Sequence, residues 1–175
     1  MNINIGKEDK TIALTNFAKK MGIEIRPPKF RHSKSKYFCD KKENCIYKGI
    51  GSIKFMNDKV ADELYELRNN NYADFIDLLI SLSKTSINSR QLDILIKLDF
   101  FQEFGNPNQL LIYTQLFNDK YRKKQFKKEK IKEMGLQEVD IRQFAEKESD
   151  KMFTKVDTYH LLKYLVAIIE VPQTS

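Results

Sequence analysis

Apolar residues recur along most of this chain with the three- and four-residue spacing of amphipathic helices, and only near its start does the spacing shorten to two. In DKTIALTNFAKKM, residues 9–21, Ile12, Leu14, Phe17, Ala18 and Met21 fall on one broad helix face that is expected to turn inward. Gly22 stands where the chain must leave that helix through positive φ. Ile23-Glu24-Ile25 alternates like a short strand, and Pro27-Pro28 forces an extended exit into the polar loop KFRHSKSK. Tyr37-Phe38-Cys39 and Cys45-Ile46-Tyr47 flank the turn-rich DKKEN and predict an antiparallel β-hairpin.

After Gly51 the helical period takes over. Val60, Leu64 and Leu67 mark a helix that starts at Asp58 and ends at Asn69–Asn71. Phe75, Leu78, Leu79 and Leu82 mark a second, and Leu92, Leu95 and Ile96 a third, with Ser86 or Asn88 as its N-cap. Phe100, Phe101 and Phe104 form an aromatic plug before the break Gly105-Asn106-Pro107, and 109–121 is helical again. A lysine-rich run then leads to a stretch where Gly135 stops a short helix and Leu136, Val139, Ile141 and Phe144 feed a second hydrophobic cluster. The last helix, from Thr158 to Glu170, is expected to bury Leu161, Leu162, Leu165 and Ile169. The expected fold is mainly α: a helical domain with one short antiparallel hairpin, residues 1–118, then a basic joint and a small C-terminal helical subdomain, residues 119–175.

Composition narrows the functional classes. With 41% hydrophobic residues the 175-residue chain can bury a core, yet no apolar run approaches the ~20 residues that span a bilayer. The start, MNINIGKEDK, has no apolar signal region, so a cytoplasmic protein without a membrane partner is expected. Cys39, Cys45 and His32 lack the CxxC spacing of a metal site and suggest two buried, reduced thiols. His32 and His160 have no serine or cysteine partner by spacing. Asp62-Glu63 and Glu146 with Glu148 lie in charge-dense helical stretches, whereas two-metal catalysis needs carboxylates converging on cations ~4 Å apart. Gly49 and Gly51 are too sparse for a phosphate-cradling loop or a dinucleotide fingerprint. A non-catalytic chain without cofactor or metal is therefore expected.

The net charge of +7 is segregated. Ten basic residues stand against three acidic ones from Lys19 to Lys48, and eight against three from Asp119 to Glu133, so the remainder of the chain is negative. Such segregation suits either a polyanion-facing side or two solvated surface runs.

The stretch YKGIGSIKFMNDKVADELYELR, residues 47–68, has the outline of a helix-hairpin-helix, the module that grips a nucleic-acid backbone through main-chain N–H groups. Around it stand MGIEIRPP, the predicted hairpin, Ile87-Asn88-Ser89-Arg90-Gln91-Leu92, Leu95-Ile96, Phe100-Phe101 and Gly105. Their order resembles the bacterial replicative DNA polymerase III alpha subunit, in the region where the fingers run into the tandem helix-hairpin-helix. The resemblance covers roughly residues 10–118 closely and 119–170 loosely, and it leaves out the palm with its catalytic aspartates. It implies a mainly helical module of DNA replication that meets a DNA backbone.

The departure lies in the hairpin. Where the family carries a Gly-Val-Gly type of turn, this chain has Phe55-Met56-Asn57. Hairpin glycines let N–H groups approach a phosphate at the start of the second helix, and Phe55 and Asn57 add side chains there. Asn57 can still adopt a left-handed conformation and cap the helix from Asp58, while Lys54 and Lys59 can supply direct charge. The candidate DNA-contacting residues are therefore Gly49, Gly51, Ser52, Lys54, Asn57 and Lys59, with Lys123, Lys124, Lys127 and Lys128 from the second basic run. Two functions stay open. One is a DNA-binding and scaffolding module for duplex or primed DNA, without sequence specificity. The other is a protein-interaction module, a phage- or mobile-element-encoded mimic of a polymerase piece that engages replisome or host proteins.

Overall fold

The structure, a computed structural model, describes residues 5–170. Helix α1 (Ile5–Lys20) stops as Gly22 predicts. Gly22 has φ 72°, its N–H reaches the Lys19 carbonyl at 3.1 Å, and the Ile23 N–H reaches the Ala18 carbonyl at 2.9 Å. Those two bonds are the Schellman stop. The expected inward face is not buried, however. Ala18 is covered, whereas Ile12, Leu14, Phe17 and Met21 are all exposed, Leu14 at 69%. Three- and four-residue spacing specifies a stripe on a helix but not a neighbour to cover it.

The predicted hairpin forms one side of a three-stranded mixed sheet. Strands β1 (Glu24–Arg26), β2 (Phe38–Asp40) and β3 (Cys45–Tyr47) lie in the order β1-β3-β2. β2 and β3 are antiparallel with Cys39 opposite Ile46, and β1 pairs parallel to β3 with Ile25 opposite Ile46. The pleat separates the two thiols: Cys45 and Tyr47 point into the core, and Cys39 is exposed. The expectation of two buried thiols therefore holds for Cys45 alone. The loop after β1 carries Phe30 inward, where its ring lies 5.5–6.4 Å from those of Phe101, Phe100, Phe104 and Tyr72. The aromatic plug is thus a real core element.

The helices follow. α2 (Asp58–Glu66) buries Val60, Ala61 and Leu64, and α3 (Phe75–Leu82) buries Phe75, Ile76, Leu78, Leu79 and Leu82. α4 (Ser89–Lys97) buries Leu92, Leu95 and Ile96 behind a capping box made by Asn88 and Gln91. Contacts divide the chain into two compact units. The first contains residues up to Ala73 together with Ile80–Pro107, and the second contains Asp74–Leu79 and the chain from Asn108 onward.

The second unit is not purely helical. After α5 (Pro107–Lys120), strand β4 (Gln125–Lys127) leads into α6 (Lys128–Glu133) and α7 (Glu138–Arg142). Strands β5 (Lys147–Glu148) and β6 (Met152–Thr154) follow, then α8 (Thr158–Glu170). The strands form an antiparallel sheet, β4-β6-β5, with Phe126 opposite Phe153. These two rings join Ile131, Ile141, Val156, Leu161 and Leu165 in one core. The lysine-rich run is thereby built into a sheet edge, contrary to the helical expectation for the C-terminal part. One phenylalanine between polar neighbours is too short a pattern to announce a strand. Val139 and Ile169, both expected inward, are exposed. Among the described residues no helix is long and apolar enough to cross a membrane.

Candidate nucleic-acid interface

Two turns precede α2. In the first, Ile50–Ser52 forms a single turn of 3-10 helix. The Ile50 N–H donates to the Lys34 carbonyl at 2.8 Å and the Gly51 N–H to the Ser35 carbonyl at 2.9 Å. The Ser52 and Ile53 N–H groups close the turn onto Gly49 and Ile50, and Ser52 Oγ also donates to the Gly49 carbonyl at 2.6 Å. Four successive N–H groups are thus occupied by main chain. A Cβ on Gly49 would lie 2.4 Å from the Ser35 carbonyl oxygen, and one on Gly51 3.0 Å from the same atom. Both glycines let segment 34–36 approach the turn, and the Gly51 N–H is taken up by the Ser35 carbonyl. Beside them is an open cleft of about 480 Å³ lined by Ser35, Lys36, Tyr37, Gly49, Gly51, Ser52 and Asp58.

The second turn, 53–57, is the hairpin proper. The Met56 N–H closes it onto the Ile53 carbonyl at 3.1 Å. Asn57 caps α2: its side-chain oxygen accepts the Val60 N–H at 2.9 Å. It does so with extended backbone, φ −131° and ψ 165°, because a cap must be extended to reach the first turn. The left-handed residue is instead Phe55, at φ 71°, a conformation that glycine adopts without strain. The turn thus holds a bulky ring in a glycine-like conformation.

Phe55 is held from α4. Its carbonyl accepts from Gln91 Nε2 at 2.9 Å, and Gln91, only 4% exposed, also accepts the Asn88 N–H at 3.0 Å. The Arg90 guanidinium sits 3.6 Å from the centre of the Phe55 ring, and the Lys54 ammonium lies 5.1 Å from it. Sequence inspection assigned no site role to Arg90 or Gln91. The Asn88-x-x-Gln91 capping pattern was their local signal, but the link to Phe55 spans more than thirty residues. At the α2 start, Ser35 Oγ donates to the Asp58 carboxylate.

The candidate lysines divide sharply. Lys54 and Lys59 are exposed and form no ion pair among the described residues; the same holds for Lys123, Lys124 and Lys127. Lys128 is different. It is half-buried, 2.6 Å from Glu148 and 3.7 Å from Glu138, and Arg142 completes the Glu148 cluster at 2.7 Å. Hydrogen bonds from Arg142 and Lys128 hold the Glu148 carboxyl down at about 2. Lys120, in the same run, is buried, with its ammonium 3.2 Å from the Met134 sulfur and its pKa lowered by burial. The hairpin lysines belong to the first compact unit and the later run to the second.

Residues 22–111, half of the chain, match the family described as the helix-hairpin-helix motif, and the chain belongs to that family. Its relatives include DNA polymerase III subunit alpha of Treponema pallidum (strain Nichols), 35% identical over 92 residues, which cover 50% of this chain and 8% of that protein. The same-named protein of Staphylococcus aureus (strain Mu50 / ATCC 700699) is 34% identical over 112 residues, 62% of this chain and 10% of the relative. That of Staphylococcus aureus (strain MRSA252) is 32% identical over 110 residues, with the same shares covered. The chain spans about a tenth of the length of these relatives. The polymerase resemblance read from motif order is therefore present as partial homology.

Proposed function

We propose that the chain is a non-catalytic DNA-binding module of DNA replication that holds the backbone of duplex or primed DNA without sequence preference. The observation that carries this is the pair Lys54 and Lys59, exposed and unpaired among the described residues, on either side of the Asn57-capped start of α2 in a helix-hairpin-helix chain. A helix start favours an anion, and two exposed ammonium groups beside it supply attraction to phosphate that hairpin N–H contacts would otherwise supply. In this reading Gly49, Gly51 and Ser52 maintain the shape of the grip. Lys123, Lys124 and Lys127 add phosphate contacts, and Lys128 serves the fold. The division of labour between residues 1–118 and 119–175 is part of the proposal.

The test is a titration of duplex and primed DNA over a range of salt. Affinity should fall linearly on logarithmic axes, and Lys54→Ala and Lys59→Ala should each reduce the slope by about one. Scrambling the DNA sequence should leave affinity unchanged. Absence of binding to any DNA at low salt would end the proposal. A second reading, a protein-interaction module, is favoured by one feature: Leu14, Phe17 and Met21 lie exposed on one side of α1 beside a groove bordered by Ile23, Ile25 and Ile46. It would take precedence if Phe17→Asp abolished binding to a purified protein partner while DNA affinity proved absent.

A further inference from the structure

We infer that Phe55 is a stacking element for an unpaired nucleobase, so that the hairpin recognises the junction between duplex and single-stranded DNA. The inference rests on the DNA-binding proposal and adds to it the class of DNA bound.

Three observations converge. First, Phe55 occupies a left-handed conformation, φ 71°, that bulky side chains rarely adopt. Such strain persists only where the surroundings impose it, and here the buried Gln91 does so through the Phe55 carbonyl. Secondly, burial does not compensate the strain, because Phe55 remains 46% exposed. Thirdly, the ring is oriented rather than loose. Arg90 stacks over it at 3.6 Å and Lys54 flanks it at 5.1 Å, and neither cation has a carboxylate partner among the described residues.

An exposed aromatic ring set between cations is the recurring platform for bases of single-stranded nucleic acid, since every base offers a π-face and every nucleotide a phosphate. The bases inside a duplex have no free face. Only an unpaired or terminal base can lie on Phe55, and the adjoining start of α2 is where the proposed backbone contacts begin. A protein ligand could also use an exposed phenylalanine, but the surrounding positive charge favours the polyanion.

The test uses the full chain and two DNAs with equal phosphate number, a blunt duplex and a primed template. The template carries 2-aminopurine at its first unpaired position. Wild type should bind the primed template roughly tenfold more tightly than the blunt duplex, with quenching of the 2-aminopurine fluorescence. Phe55→Leu should remove that preference and the quenching while leaving blunt-duplex affinity unchanged; Phe55→Tyr should retain both. Should Phe55→Leu fail to fold, quenching in wild type and Phe55→Tyr still decides. Equal affinity for the two DNAs, or no quenching, overturns the stacking role but leaves backbone binding standing. Failure to bind either DNA overturns both.

Discussion

The Gly49–Ser52 turn and the Ile53–Asn57 turn follow one another directly, and they divide the features of a phosphate grip between them. The first has both glycines, yet the N–H groups of Ile50, Gly51 and Ser52 are bonded to segment 34–36 and to the turn itself. Its Cβ space at Gly49 is filled by the Ser35 carbonyl. The second has no glycine, yet it has the left-handed residue, the capped helix start and Lys54, which forms no ion pair among the described residues. A glycine in a turn of this kind can therefore serve packing, and a left-handed position can be held by a residue other than glycine. At Phe55-Met56-Asn57 the chain keeps a tight turn into a capped helix, with an exposed ring at its left-handed position.

The largest expected effect probes the packing role of the first turn. Gly49→Ala places a methyl group against backbone atoms, 2.4 Å from the Ser35 oxygen and 2.6 Å from the Lys36 carbonyl carbon, and neither can rotate away. A loss of about 3 kcal/mol is expected, the upper part of the usual range for overpacking. Gly51→Ala meets the Ser35 carbonyl at 3.0 Å and the movable Ser35 hydroxyl at 3.1 Å, so about 1 kcal/mol should be lost. Urea denaturation of the two variants measures the difference. Equal, small losses would mean that the first turn is free to open and that its N–H groups are available to a ligand.

Next in size is the helix cap in the second turn. Asn57→Ala leaves the Val60 N–H without its partner and should lower stability by about 1 kcal/mol. Asn57→Asp separates the structural role from the binding role. Aspartate caps as well as asparagine, so the urea midpoint should hold, while the added negative charge should weaken DNA binding. Unchanged DNA affinity in Asn57→Asp would move the phosphate site away from this helix start.

Local signals were legible in the sequence. Gly22 as a stop, Asn57 and Asn88 as caps and Phe100-Phe101 as a plug each depend on a few neighbouring residues, and each appears where the pattern put it. Cover and pairing were not legible. The α1 stripe has helical spacing but lies exposed, and β4 pairs with β6 through Phe126, a single apolar residue within a basic run. The same limit applied to charge. The sign of each lysine was plain, but whether it meets solvent, like Lys127, or two carboxylates, like Lys128, depends on strands and helices that pack from later in the chain. Likewise, Asn57 could have been the left-handed residue on sequence grounds, and only the demands of capping exclude it.

The smallest expected effect bears most directly on how the second turn works. Phe55→Gly restores the residue type that φ 71° accommodates without strain, a relief of about 1–2 kcal/mol. Against this stand the extra chain entropy of glycine, about 0.5–1 kcal/mol, and the loss of the Arg90 contact, of similar size at an exposed site. The terms nearly cancel, so the melting temperature should move by no more than a few degrees. A loss of 2 kcal/mol or more would instead mean that the ring supports the fold and is not free to meet a ligand. With stability unchanged, the two modes of binding separate. Removing the ring opens the α2 start to closer backbone approach, so blunt-duplex affinity should rise modestly. The preference for primed DNA should disappear in the same variant. Opposite changes on the two DNAs in one protein of unaltered stability are what a ring standing in the place of a phosphate-gripping glycine requires, and parallel changes would show that Phe55 does not discriminate between them.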